Sequence, residues 1–279
     1  MIKKLLKELI GGITRLIAAM PGGEYFYEQL LRTAMSARAS VFHGDTVLSF
    51  SVPNRLARYR ADSFASKEPD TLDWLDTFPE GTVLWDVGAN VGLYSIYAAA
   101  KRDARVYAFE PSVFNLELLA RNIYLNALQD RIVIVPVALS HDIGPSTFKM
   151  SSTAWGGALS TFGQDFDQHG QTLRSVFEYQ TVGVTMVDAH RLLQIPLPRF
   201  LKIDVDGIEH FILRGGAEVL KHVESVLIEI NDDFAEQAEE SARLLKEAGL
   251  VLHRKCNLNA GNQFNQWWIR PGARKMQEA

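Results

Sequence analysis

A doubly wound, mostly parallel α/β sheet behind an N-terminal helical extension is the fold class this sequence predicts. Three observations carry it. Short apolar runs at 83–87, 105–109, 132–136, 199–205 and 225–230 alternate with helical patterns, and such alternation builds parallel sheets covered by helices. The stretch VLWDVGANVG, Val83–Gly92, runs from a strand through a glycine turn straight into a helix. The 279 residues, 47% apolar and 22% charged, suit one large globular domain with an accessory piece.

In chain order, residues 1–67 form the extension and 68–279 the main domain. Ile2, Leu5, Leu6, Leu9, Ile10, Ile13, Leu16, Ile17 and Met20 recur at helical spacing, with Lys3, Lys4 and Lys7 mostly between them, and Pro21-Gly22-Gly23 ends the helix. A helix of this kind packs on its own domain, pairs in a homodimer, or lies as a peripheral contact on a membrane surface. Lys7, Glu8 and Arg15 break any signal-peptide apolar core, and no run of eighteen apolar residues exists. Residues 24–40 read as a second helix, 41–52 as a hairpin, and 68–78 as a helix starting after Pro69. The basic RLARYR, residues 55–60, reads as a solvated face or an anion-binding rim.

Strand 83–87 leads into helix 92–101, strand 105–109 into helix 112–127, and strand 132–136 into a polar stretch with strand-like runs near 146–150 and 181–185. Residues 151–180 are rich in Gly, Ser, Thr, Gln and aromatics, and so long an irregular insertion suggests a functional loop. Strand 199–205 precedes helix 208–222, strand 225–230 precedes helix 234–248, and runs 250–254 and 264–270 close the chain as two strands.

The net charge of −4 makes no case for nucleic-acid binding. Charge is uneven: residues 1–60 carry nine Lys/Arg against four Asp/Glu, +5, which leaves −9 for the rest. Cys256 is the single cysteine, so no internal disulfide or cysteine-built metal site can form, and a reducing, cytoplasmic setting is expected. The basic helix leaves room for contact with the inner membrane face.

The chemistry starts at the glycine turn. Gly88 and Gly92 follow Asp86 by two and six residues, and glycines there let backbone N–H groups approach a ligand. A dinucleotide-binding GxGxxG would need glycines at 90 and 93, where Asn90 and Leu93 stand, so the nicotinamide fingerprint fails. Glu110, ending the next strand, stands where an acid can accept hydrogen bonds from two ribose hydroxyls. A turn with glycines for packing and a solvent-facing acid is the plainer alternative.

DxGxxxG with an acid closing the second strand resembles the class I S-adenosylmethionine-dependent methyltransferases, whose fold is a Rossmann-like sheet. DVGANVGLYS, VYAFEPSVFNLELLARNI, VALS and FLKIDVDGIEHFILRGG, in this order and spacing, resemble the FkbM family of methyltransferases over about residues 68–235. The resemblance implies S-adenosylmethionine as cofactor and methyl transfer to an oxygen of a sugar, glycan or related small-molecule acceptor. By position it implies cofactor contacts from Asp86, Gly88, Asn90, Gly92, Glu110, Pro111, Asn115 and Ala138. Many members carry Glu where this chain has Asp206, and the first sixty residues lie outside the match.

KIDVDGIEH, residues 202–210, is the third constellation. Lys202 and Asp204 interrupt an otherwise apolar strand and share one face, about 6.6 Å apart along it. Asp206-Gly207 reads as a turn, and Glu209 falls in the first turn of the next helix, where the dipole favours its ionised form. A hydroxyl acceptor needs a base during methyl transfer, and Asp204, Asp206, Glu209 and His210 are the candidates, with Lys202 steering a base or polarising the acceptor. The alternative is a buried ion-pair network that only orders the turn. A divalent cation on Asp204, Asp206 and Glu229 is a second mechanism, although the spacing does not require one. Trp155-Gly156-Gly157 is an acceptor-loop candidate, and of Trp267 and Trp268 one is expected in the core and one near the surface. An N-methyltransferase, or a non-catalytic assembly or membrane-surface module on the same fold, remains open.

Overall fold

The structure, a computed structural model, describes residues 2–257 and 261–272. The extension begins with a helical hairpin, α1 (Ile2–Ala18) and α2 (Gly23–Met35), followed by a β-hairpin of β1 (Arg38–His43) and β2 (Thr46–Ser51). The second helix therefore ends before residue 40, and the first strand takes Arg38–Ser40 from it. Next come α3 (Arg55–Asp62), α4 (Phe64–Lys67) and α5 (Pro69–Asp76). Asn54 caps α3, its side chain accepting from the Ala57 N–H at 2.7 Å. Proline opens α5, where its missing N–H costs nothing.

The main alternation follows: β3 (Val83–Val87), α6 (Leu93–Arg102), β4 (Arg105–Phe109), α7 (Val113–Leu125) and β5 (Ile132–Val135). Then β6 (Ala138–Leu139), β7 (Gly144–Met150), β8 (Ser160–Phe162) and β9 (Phe177–Val184) form a separate four-stranded sheet, ordered β6-β9-β7-β8. Residues 151–180 are thus less irregular than their composition suggests, since β8 and the first half of β9 lie in them. After α8 (Met186–Arg191) and β10 (Phe200–Ile203) come α9 (Glu209–Arg214) and α10 (Ala217–Leu220). The expected single helix 208–222 is broken at Gly215-Gly216. A Cβ at 215 would lie 2.4 Å from the Ser140 backbone carbonyl oxygen, which cannot swing aside, and one at 216 would displace the Met186 methyl. The chain ends in β11 (Ser225–Asn231), α11 (Ala235–Glu247), β12 (Val251–Asn257) and β13 (Gln263–Ile269).

The central sheet has the order β12-β13-β11-β10-β3-β4-β5. From β5 to β11 all pairs are parallel, and β13 and β12 close one edge antiparallel. The chain moves outward from β3 through β4 to β5, then returns to place β10 on the other side of β3. This reversal opens a crevice beyond the carboxyl ends of β3 and β10, where ligands of doubly wound sheets bind.

Alternate residues of each strand feed two cores. Leu84 and Phe200 face Trp74, Phe78 and Ile96, with Phe78 stacked on Phe200 at 3.9 Å. Trp85, Val87, Leu201 and Ile203 face the α8–α11 side. Both Trp267 and Trp268 are buried, one in each core, because β13 lies between β11 and β12 and is covered on both faces. Ser225 accepts from the indole N–H groups of Trp74 and Trp267, each at 2.9 Å. Neither indole is therefore exposed to an acceptor.

The N-terminal helix does not bury its apolar stripe. Leu5, Leu6, Leu9, Ile10, Ile13 and Leu16 are all exposed, and α1 packs on α2. A Cβ at Gly23 would meet the Ile17 carbonyl oxygen at 2.0 Å, so glycine permits that tight helical corner.

Candidate active site

Two cavities flank the ends of β3 and β10. The first, about 560 Å³, lies between the glycine turn, the end of β4 and the small sheet. The second, about 710 Å³, lies on the opposite side, between α3, α4 and the start of α6. Gly88, Asn90 and Asp204 line both cavities.

Gly88 shows why the turn needs glycine. Its φ is +82°, and a Cβ there would lie 1.9 Å from the Asp204 carbonyl oxygen. The two strand ends therefore touch backbone to backbone at the switch point. Gly92, with φ +84°, is tight for a different reason: a Cβ would press on the Leu119 side chain at 2.4 Å. Asn90 is left-handed as well, at φ 52°, a conformation asparagine tolerates better than most residues. Its side-chain N–H donates to the Gly157 carbonyl at 2.7 Å, while its carbonyl oxygen is buried with no partner.

Glu110 is buried and already engaged. It accepts from the Asn90 N–H at 2.7 Å and from the Ser112 N–H at 2.8 Å. Burial raises its pKa to about 7 against the pull of those two bonds. A carboxylate has about four acceptor positions, so capacity for ligand hydroxyls remains beside the Asn90, Ser112 and Asn115 donors. Glu110 and Pro111 line the first cavity, together with Asn115 and Ala138. Asn115 also pins the roof: its amide N–H donates to the Gly157 carbonyl, and its oxygen accepts from the Gly156 N–H, both at 3.1 Å. The small sheet contributes an apolar wall of Ala138, Phe148 and Phe162, and Ile208 joins it.

Lys202 and Asp204 pair at 2.7 Å, as their spacing on one strand face allows. Lys202 is fully in the protein and lies in register with Asp86 on β3, so both point to the α6 side. Its ammonium also sits 5.3 Å from the Tyr94 ring centre. Burial works against its charge, but Asp204, Asp86 and Glu68 together raise its pKa. For Asp204, burial would raise the pKa, and the Lys202 and Lys67 charges prevail and hold it below the usual carboxylate range. Asp204 stands just past β10, between the two cavities.

The other sequence candidates separate. Asp86 accepts from the Ser95 hydroxyl and lines neither cavity, and burial raises its pKa. Asp206, at φ 61°, lines the first cavity and accepts from the Leu159 N–H at 2.7 Å, and burial with the Asp204 charge raises its pKa to about 6. Glu209 lines neither cavity. Its carboxylate accepts from the Val205 and Gly207 N–H groups and from Gln237, which orders the turn after β10. Burial raises its pKa to about 7. His210 is buried against Phe211 and Phe234, its pKa depressed by burial to about 4, and it too lies outside both cavities. Glu229 accepts from Gln263, and burial together with the nearby Asp204 charge raises its pKa well above the usual carboxylate value. Among the described residues no three His, Cys, Asp or Glu converge as a metal-ligand cluster. Trp155 packs beside Ala57, Val91 and Leu118 and lines neither cavity.

Several lining residues carried no sequence signal. Tyr94, Lys67 and Glu68 line the second cavity, and Glu68 pairs with Lys67 at 2.8 Å and with Thr71 at 3.1 Å. Lys67, at the end of the extension, and Glu68, just beyond it, meet Tyr94 of α6 only through the packing of these segments. Arg60 does come from the basic run 55–60, and the rim reading of that run fits its place in the second cavity.

The methyltransferase FkbM domain matches residues 86–252, more than half of the chain and both strand ends of the crevice. The chain belongs to the FkbM methyltransferase family. A hexuronic acid methyltransferase, AglP, from Haloferax volcanii is 29% identical to this FkbM chain over 178 residues, 63% of this chain and 66% of that protein. The crystal structure of methyltransferase FkbM from Methylobacillus flagellatus KT aligns with a TM-score of 0.47 at 16% identity. That alignment covers 69% of this chain and 44% of the other. Precorrin-6y C5,15-methyltransferase from Geobacter metallireducens aligns with a TM-score of 0.43 at 12% identity, covering 75% of this chain and 91% of that one. The FkbM chain therefore spans a little under two thirds of the Haloferax protein and less than half of the Methylobacillus one.

Proposed function

We propose that the chain is an S-adenosylmethionine-dependent methyltransferase acting on a hydroxyl of a sugar-containing acceptor. One observation carries this reading: two cavities meet at Gly88, Asn90 and Asp204, so a donor and an acceptor can face each other across one carboxylate.

The first cavity fits the cofactor. Glu110 offers acceptor positions for ribose hydroxyls, the unpartnered Asn90 oxygen can take an ammonium N–H, and the Phe148–Phe162 wall suits an adenine face. Bound there, S-adenosylmethionine supplies an electrophilic methyl group on a positively charged sulfur. The chain's own part is alignment and proton removal. Asp204, ionised and oriented by Lys202, accepts the acceptor's hydroxyl proton from the second cavity. Asp206 ties the strand end to the Leu159–Ser160 backbone and so steadies the roof. The sugar class draws support from the Haloferax relative, which is named for hexuronic acid.

A methyl-transfer assay with labelled cofactor against glycans and nucleotide sugars, with and without chelator, tests acceptor class and metal dependence together. Calorimetry with S-adenosylhomocysteine tests the site. Glu110→Ala is expected to weaken binding by about tenfold or more, the scale of losing hydrogen bonds to a charged group, with Glu110→Gln falling between. Unchanged affinity in both variants would remove Glu110 from the cofactor site.

The α1 surface supports a peripheral role at an anionic membrane. Its exposed apolar residues stand beside Lys4, Lys7 and Arg15, none of which forms an ion pair among the described residues. The full chain is expected to co-sediment with phosphatidylserine vesicles but not with neutral ones, and Leu9→Glu/Ile13→Glu to stay in solution. Equal pelleting of the two proteins, or an α1-dependent dimer in light scattering, would overturn it.

A further inference from the structure

We propose that the second cavity reads an anionic group on the acceptor, a carboxylate or a phosphate, through Arg60. The inference rests on the methyltransferase reading and narrows its acceptor class.

The charges that line the two cavities differ in kind. The ionisable groups of the first are Glu110, Asp204 and Asp206, all acidic, and none of them can pair with an anionic group of the acceptor. The second is lined by Arg60, Lys67 and Lys202 against Glu68 and Asp204. Lys202 pairs with Asp204 at 2.7 Å and Lys67 with Glu68 at 2.8 Å. Arg60 is the cation left over, and it makes no ion pair among the described residues.

Its setting is that of a reader, not of a free surface arginine. The Nε–H donates to the Gly156 carbonyl at 2.6 Å, which fixes the plane of the guanidinium. The two terminal nitrogens have no hydrogen-bond partner among the described residues, and Arg60 lines the cavity. A planar fork held in this way matches the two oxygens of a carboxylate or phosphate. Helix α3, capped by Asn54, sets the position of Arg60, and the Asn54 amide also donates to the Trp155 carbonyl at 3.0 Å. The extension, which lies outside the family match, therefore supplies the specificity-determining residue.

The probes are methyl β-D-glucuronide for the carboxylate, glucose 6-phosphate for the phosphate and methyl β-D-glucoside as neutral control. Binding to the full chain is read by saturation-transfer NMR and calorimetry, with and without S-adenosylhomocysteine. At least one charged probe is expected to bind about tenfold or more tighter than the glucoside, as a charge-assisted pair would give. Whichever charged probe prevails identifies the group. Arg60→Gln is expected to erase that preference while S-adenosylhomocysteine affinity stays within about threefold, and Arg58→Gln, an exposed partner of Asp62 on the same helix, to preserve it. Equal behaviour of charged and neutral probes, or a preference that survives Arg60→Gln, would overturn the proposal. Failure of S-adenosylhomocysteine to bind the native chain would instead strike the methyltransferase reading, since the probe preference is also measured without it.

Discussion

Gly88→Ala is expected to be strongly destabilising and to take the proposed cofactor site with it. Two costs add. The residue sits at φ +82°, where an L side chain costs roughly 1–2 kcal/mol. The new Cβ would lie 1.9 Å from the Asp204 carbonyl oxygen, which is backbone and cannot swing aside. Relief requires β3 and β10 to part at the point where both cavities meet. Gly81→Ala separates the two costs, because Gly81 has φ +70° and open space around it. In urea unfolding, Gly81→Ala should lose about 1–2 kcal/mol, and Gly88→Ala more than about 4 kcal/mol or fail to fold. Gly92→Ala should fall between, since a Leu119 side chain can shift. A Gly88→Ala protein as stable as Gly81→Ala, with native S-adenosylhomocysteine affinity, would sink this account of the turn.

If Asp204 is the proposed general base, Asp204→Asn is expected to lower kcat about 10²–10⁴-fold with S-adenosylhomocysteine affinity nearly unchanged. The Asn oxygen can still accept from Lys202, so the 2.7 Å contact survives in neutral form. A purely structural role predicts the reverse pattern, with weakened folding and modest loss of rate. The residual rate should also climb with pH, as solvent takes over proton removal. Single-turnover assays on the best acceptor of the panel, from pH 6 to 9, decide. A kcat within about threefold of native would show that no proton is taken there, as for an amine acceptor that arrives deprotonated.

The stretch 202–210 illustrates what local sequence conveys. The strand–turn–helix at 83–92, the acid at 110 and the charged strand end at 202–204 were legible because each depends on short-range rules: periodicity, glycine at a turn, two-residue alternation. Which carboxylate faces a ligand was not legible. Asp204 and Glu209 are five residues apart and chemically alike, yet one stands between two cavities and the other is filled by Val205, Gly207 and Gln237. Turn geometry over those few residues, including the left-handed Asp206, separates them. The Trp267-Trp268 pair misled for a related reason. Alternation puts the two rings on opposite faces, but only the sheet order shows that both faces of β13 are covered.

The sequence by itself determined the doubly wound sheet, the glycine turn and the family, because these reside in local patterns that persist whatever the distant chain does. Only the tertiary structure decided that Gly88 must be glycine on account of Asp204, 116 positions away in the chain numbering. It alone carried Arg60 and Lys67 from the extension, and Glu68 from just beyond it, to the wall of the second cavity. Such placements follow from how helices outside the sheet dock onto it. That docking depends on shape and buried charge summed over many distant residues, which no single stretch of the chain records.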